Sequence, residues 1–234
     1  MDRFNIVKSG TELQILGLRD AVKLLSIENH SQAQRLADLG LHRVDLEFAY
    51  GSLEELKKIP IEAIIIRQAL WRGAIIHFIK CFGDNKRFQL DIHEIINGEP
   101  DGIEVFEYFF KLRNKHIVHD VNAYAQCLTG AALNAGDKEY KIEKIISLTM
   151  VGETCEPANY DNLKLLIGRT LLWVNAEFDK ICNSISRDLE KETYEVLNSR
   201  KTVQYRVPKV DEIGTKRAAT SKISSGDSIS NSAK

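Results

Sequence analysis

Between Tyr160 and Asn198 apolar residues recur three and four apart, at Tyr160, Leu163, Ile167, Leu171, Val174, Phe178, Ile181 and Ile185. This is the strongest period in the chain, and it predicts one long helix with a continuous buried stripe. Such a helix exceeds the usual globular length, so its end beyond Leu189 is expected to project or to meet a second subunit. Upstream, Ile61 to Phe82 is apolar on nearly every side. That predicts a helix from Pro60 to Gly83, surrounded by other helices. Glu62, Arg67, Arg72 and Lys80 interrupt it too often for a bilayer, so no membrane span is expected.

Gln32 to Tyr50 reads as an amphipathic helix, with Leu36, Leu39, Val44 and Phe48 inward and Arg35, Asp38, His42 and Asp45 on a solvated face. Gly51-Ser52 is expected to end it, Ser52 and Glu55 forming a capping box for the next segment and Pro60 opening another helix. Leu13, Leu16, Leu18, Leu24 and Leu25 suggest a short helix before the polar break Glu28-Asn29-His30-Ser31, and Leu90 to Ile96 suggests a second.

After Asp120 the period falls to two. Tyr140, Ile142, Ile146, Leu148 and Met150 alternate with Lys141, Glu143, Ser147 and Thr149. Asn122 to Leu133 is the candidate partner strand, and Asn134-Ala135-Gly136-Asp137 supplies the turn. The fold class is therefore mainly α: a helical bundle over residues 1–200 with a β-hairpin inserted at 121–151. From Arg200 onward eight Lys and Arg face three Asp and Glu, a net of +5 in a chain whose total is -1. Residues 201–234 are accordingly expected to form a flexible basic tail.

The 234 residues suit one domain. Cys81, Cys127, Cys155 and Cys182 form no CxxC pair, which points away from a zinc finger or a disulfide framework. Met1-Asp2-Arg3-Phe4-Asn5 lacks the pattern of a signal peptide, so a cytoplasmic protein is expected. With no glycine-rich phosphate loop, no cofactor or metal is expected.

Chemistry-bearing side chains crowd into Arg113-Asn114-Lys115-His116-Ile117-Val118-His119-Asp120. The helix predicted over Ile103 to Val118 has Phe106, Phe109, Phe110 and Ile117 on one stripe, and the same stripe turns Arg113 inward. A guanidinium keeps its charge, so a core position for it demands a partner or a wet cleft. The Arg113-Asn114-x4-His119 arrangement near the end of a bundle helix resembles the signature of the HEPN superfamily, helical domains that include many metal-independent RNases of defence and toxin systems. The resemblance implies an endoribonuclease that cleaves single-stranded RNA through 2'-OH attack, with Arg113, His119 and Asn114 as its catalytic residues, Asn114 orienting the histidine or the phosphate. It also implies a homodimer, because one histidine cannot be base and acid at once, and an antitoxin or other regulatory protein as a further partner. His116, Asp120, Arg72 and His77 are accessory candidates.

Three other uses of these residues compete. Arg113 paired with a carboxylate would be a stabilising constellation without chemistry. The His119-Asp120 doublet, with His93 and Asp161 or Asp179, resembles the ligand set of HD-type metal phosphohydrolases. The third is a non-catalytic helical module that binds RNA or protein.

Overall fold

The computed structural model describes residues 5–9, 12–18, 21–83, 87–97, 99–119, 122–204 and 209–214. Among them the chain is mainly helical, with two separate two-stranded antiparallel sheets. It divides into two compact units: residues 39–177, and residues 1–38 together with 178–234.

The 39–177 unit is a helical core. Helix α1 (Ala33–Leu56) brings it Leu39, Leu46, Ala49, Leu53 and Leu56, all buried. Helix α2 (Ile64–Lys80) adds Trp71, Ala74, Ile75, Phe78 and Ile79. The short α3 (Ile92–Ile96) buries Ile92 and Ile96, and α4 (Pro100–Leu112) buries Phe106, Phe109 and Leu112. From α5 (Pro157–Leu189) come Leu163, Leu166, Ile167 and Val174. Aromatic rings tie α2 to α4: Trp71 lies edge-on to Phe109, and Phe78, Phe82 and Phe106 pack mutually edge to face. The indole N–H of Trp71 donates to the buried Thr154 hydroxyl at 2.9 Å.

The inserted hairpin is present as expected: β3 (Ala125–Leu133) pairs antiparallel with β4 (Ile142–Val151), from Ala125 opposite Val151 to Leu133 opposite Ile142, with a bulge at the outer end.

Several helix expectations need correction. Gly51 and Ser52 do not end α1; the Ser52 hydroxyl donates back to Phe48 O at 2.8 Å, so the group read as a cap is satisfied inside the helix. The faces of α1 are also turned: Asp38, His42 and Asp45 are buried, whereas Val44 and Phe48 are exposed. Helix α2 is not enclosed throughout, because Ile64, Ile65 and Ile66 at its start are exposed, as is Ile61 before it. The long helix stops at Leu189; Thr193 then caps a separate α6 (Tyr194–Ser199), accepting from Val196 N.

In the other unit, β1 (Asn5–Ser9) pairs antiparallel with β2 (Glu12–Leu16), which corrects the helix expected around Leu13 and Leu16. Five-residue segments joined by Gly10-Thr11 are too short to nucleate a helix and well placed for a hairpin. Leu25 bridges Thr202, flanked by Ser26 N–H donating to Lys201 O at 2.8 Å and Val203 N–H donating to Leu24 O at 3.0 Å. Ile181 and Ile185 of α5 are buried. His30 lies 3.5 Å from the carboxylate of Asp188. A 3-10 turn spans Val210–Gly214, and the expected tail beyond it lies outside the described residues.

Candidate functional site

Helix α4 begins with Pro100 in its first turn, where a missing N–H costs nothing, and its apolar face buries three residues in four turns. At Arg113 the ladder widens. Arg113–Ile117 is a π turn, closed by Val118 N–H donating to Arg113 O at 3.0 Å. Such turns insert an extra residue and shift the positions after them, and they recur at functional sites. Here the shift leaves Arg113, Asn114, His116 and Ile117 half-buried and His119 exposed just beyond the turn. Phe110, expected inward, is also exposed.

The Arg113 guanidinium is held by a neutral group. Its Nη1 donates to Asn114 Oδ1 at 2.7 Å. Its Nε is buried with no hydrogen-bond acceptor. Among the described residues Arg113 has no carboxylate partner. Leaving a buried donor unmade costs about 1–3 kcal/mol, and that cost sits in the turn richest in reactive side chains. The Asn114 side-chain oxygen thus holds the arginine in place. His116 repeats the theme: its Nδ1 is buried without a partner, and its ring centroid lies 5.6 Å from that of Tyr124, at the root of the hairpin. Asp120 lies outside the described residues.

Of the accessory candidates on α2, His77 sits elsewhere. Helix α2 packs against the π turn, but His77 faces α1, where its Nδ1–H donates to Asp45 at 2.8 Å. Arg72 is half-buried on α2. Asp45 is the centre of a cluster the sequence reading missed. Lys80 Nζ donates to the same carboxylate at 3.0 Å, and Arg87 Nη1 donates to its other oxygen. Burial pushes the Asp45 carboxyl up, but hydrogen bonds from Arg87, Lys80 and His77 outweigh it and hold the carboxyl below the usual range. Beside it, burial first and the Asp45 charge second push the Cys81 thiol up to about 12. His42, fully buried, donates from Nε2 to Phe88 O at 2.6 Å. The α1 line of Asp38, His42 and Asp45 therefore anchors α1 rather than wetting it.

Among the described residues no three His, Cys, Asp or Glu side chains converge where they could hold a metal ion. No helix among them is long and apolar enough to cross a membrane. No family model, no curated protein and no solved structure matches this chain.

Proposed function

We propose that the chain is a metal-independent endoribonuclease of HEPN type, a defence or toxin RNase that cleaves single-stranded RNA in a site shared by two protomers. The observation that supports this reading best is Arg113: a permanent cation at the end of a bundle helix, gripped by an amide and free of any carboxylate among the described residues. The planar fork of a guanidinium matches two oxygens of a phosphate. The exposed His119 six residues on supplies an imidazole that can give or take a proton.

The chemistry follows from those two side chains. A base removes the proton of a ribose 2'-OH, the oxygen attacks the adjacent phosphorus, and an acid protonates the departing 5'-oxygen. Arg113 stabilises the charge growing on the phosphoryl oxygens. His119 of one protomer fills one proton role and His119 of the second fills the other. A neutralising antitoxin or another regulatory protein would act by covering this surface.

The test is cleavage of a labelled single-stranded RNA by the purified chain in EDTA. Arg113→Ala and His119→Ala should each lower the rate by about 10² or more, with thermal unfolding little changed. Cleavage that disappears with chelator favours the metal phosphohydrolase reading. RNA binding without cleavage in the wild type favours a non-catalytic binding module.

A further inference from the structure

We propose that the hollow beside Tyr124 is a nucleobase pocket, in which Tyr124 stacks on one base of a single-stranded RNA and Gln126 reads the edge of that base. Its place ties it to the π turn. The Tyr124 ring lies against that of His116, centroids 5.6 Å apart, and His116 stands in the same π turn as Arg113, three residues on. A phosphate held by Arg113 therefore leaves a flanking base beside this ring, and to that extent the inference rests on the nuclease reading.

The tyrosine is held so that its ring stays open. Its N–H donates to Asn122 Oδ1 at 3.1 Å and its carbonyl accepts from Gly152 N–H at 2.7 Å, which fixes the backbone on both sides. A Cβ at Gly152 would lie 2.8 Å from Tyr124 Cδ1, so only a glycine lets the ring seat against the chain there. Tyr124 nonetheless remains 43% exposed. An aromatic ring backed by main chain and open on its outer side is a platform on which a base can stack.

The walls select the part of the nucleotide that enters. The hollow measures about 420 Å³ and is lined by Ala123, Tyr124, Gln126, Met150, Val151 and Gly152. That lies within the range of about 300–1,000 Å³ usual for small-ligand pockets. Among the described residues no charged side chain lines it, so it suits a base rather than a phosphate. A base inside a duplex is stacked and paired, so a pocket of this kind takes only an unstacked base of a single strand. Gln126 supplies the amide that can discriminate. Its Nε2 donates to Ala123 O at 2.9 Å, which leaves Oε1 to accept. An acceptor there favours cytosine, whose N4 amino group donates, over uracil, which presents an oxygen at the same place.

Fluorescence titration of the full chain with a 2'-O-methyl oligouridylate carrying one 2-aminopurine provides the test. The blocked 2'-oxygen forbids the cleavage step, so binding is read whether or not the chain is a nuclease. Stacking on Tyr124 should quench the probe saturably. Tyr124→Leu should abolish the quench and weaken binding by about 10-fold, whereas Tyr124→Phe, which keeps the ring, should retain both. As a competitor, 2'-O-methyl oligocytidylate should bind about 3- to 10-fold more tightly than oligouridylate, and Gln126→Leu should erase that difference. A wild type that gives no quench, a quench that survives Tyr124→Leu or is lost equally in Tyr124→Phe, or a cytosine preference that is absent or survives Gln126→Leu would overturn the proposal.

Discussion

Replacing Asp45 with Asn removes the one carboxylate that His77, Lys80 and Arg87 share while keeping its shape. His77 and Lys80 approach it at 2.8 and 3.0 Å, and Arg87 completes the cluster. The Asp45 side chain is 7% exposed and that of Arg87 18%, so the arginine would lose the Asp45 charge in a poorly solvated place. Breaking a buried pair on one side costs about 3–5 kcal/mol. His77 and Lys80 are 33% and 43% exposed, and water takes up much of what they lose. A net loss of about 2–3 kcal/mol at pH 7 follows, read from urea unfolding followed by circular dichroism. The pH dependence gives a sharper check. A carboxyl held below its ordinary value of 3.8 stabilises the fold above that value, and the contribution is lost as pH falls through the lower folded value. The Asn variant has no such group. The gap between the two proteins should therefore be full at pH 7 and close progressively below pH 3.8. A gap that stays constant with pH, or is absent at pH 7, would refute the reasoning.

Other sites give simpler expectations. Thr154→Val removes the acceptor of the Trp71 indole N–H and should cost about 1–3 kcal/mol in the same unfolding assay. Gly102→Ala places a Cβ 2.7 Å from Cγ2 of the buried Ile96, so it should lower stability by about 1–2 kcal/mol despite alanine's better helix propensity. In the native protein a thiol reagent at pH 8 should modify the exposed Cys127 quickly and leave Cys81, buried and shifted to about 12, unreacted until unfolding.

The hairpin was legible because a period of two over Tyr140 to Met150 has one structural meaning and a turn sequence stands beside it. The stripe of α5 was legible for the same reason, and its error lies only at the end, where Glu190-Lys191-Glu192 carries no apolar residue to hold a further turn. Periodicity says which residues share a helix face but not which face meets the core. On α1 the deciding partners, Lys80 and Arg87, stand 35 and 42 residues from Asp45, beyond any local pattern. Ser52 shows a related ambiguity, since its hydroxyl can cap a new helix or bond four residues back, and burial chose the second. The crowding of reactive residues from Arg113 to His119 was visible, and so was the half-inward arginine. The π turn that sets their directions was not, because a ladder widened by one residue leaves no mark on composition.

Transfer through the 2'-oxygen is the centre of this account, and the ends of the RNA fragments report it directly. A single-stranded RNA incubated with the chain in EDTA should yield 2',3'-cyclic phosphate and 5'-hydroxyl ends by mass spectrometry, and the same strand with 2'-deoxy sugars should stay intact. Fragments ending in 3'-hydroxyl and 5'-phosphate, or cleavage of the deoxy strand, would contradict it.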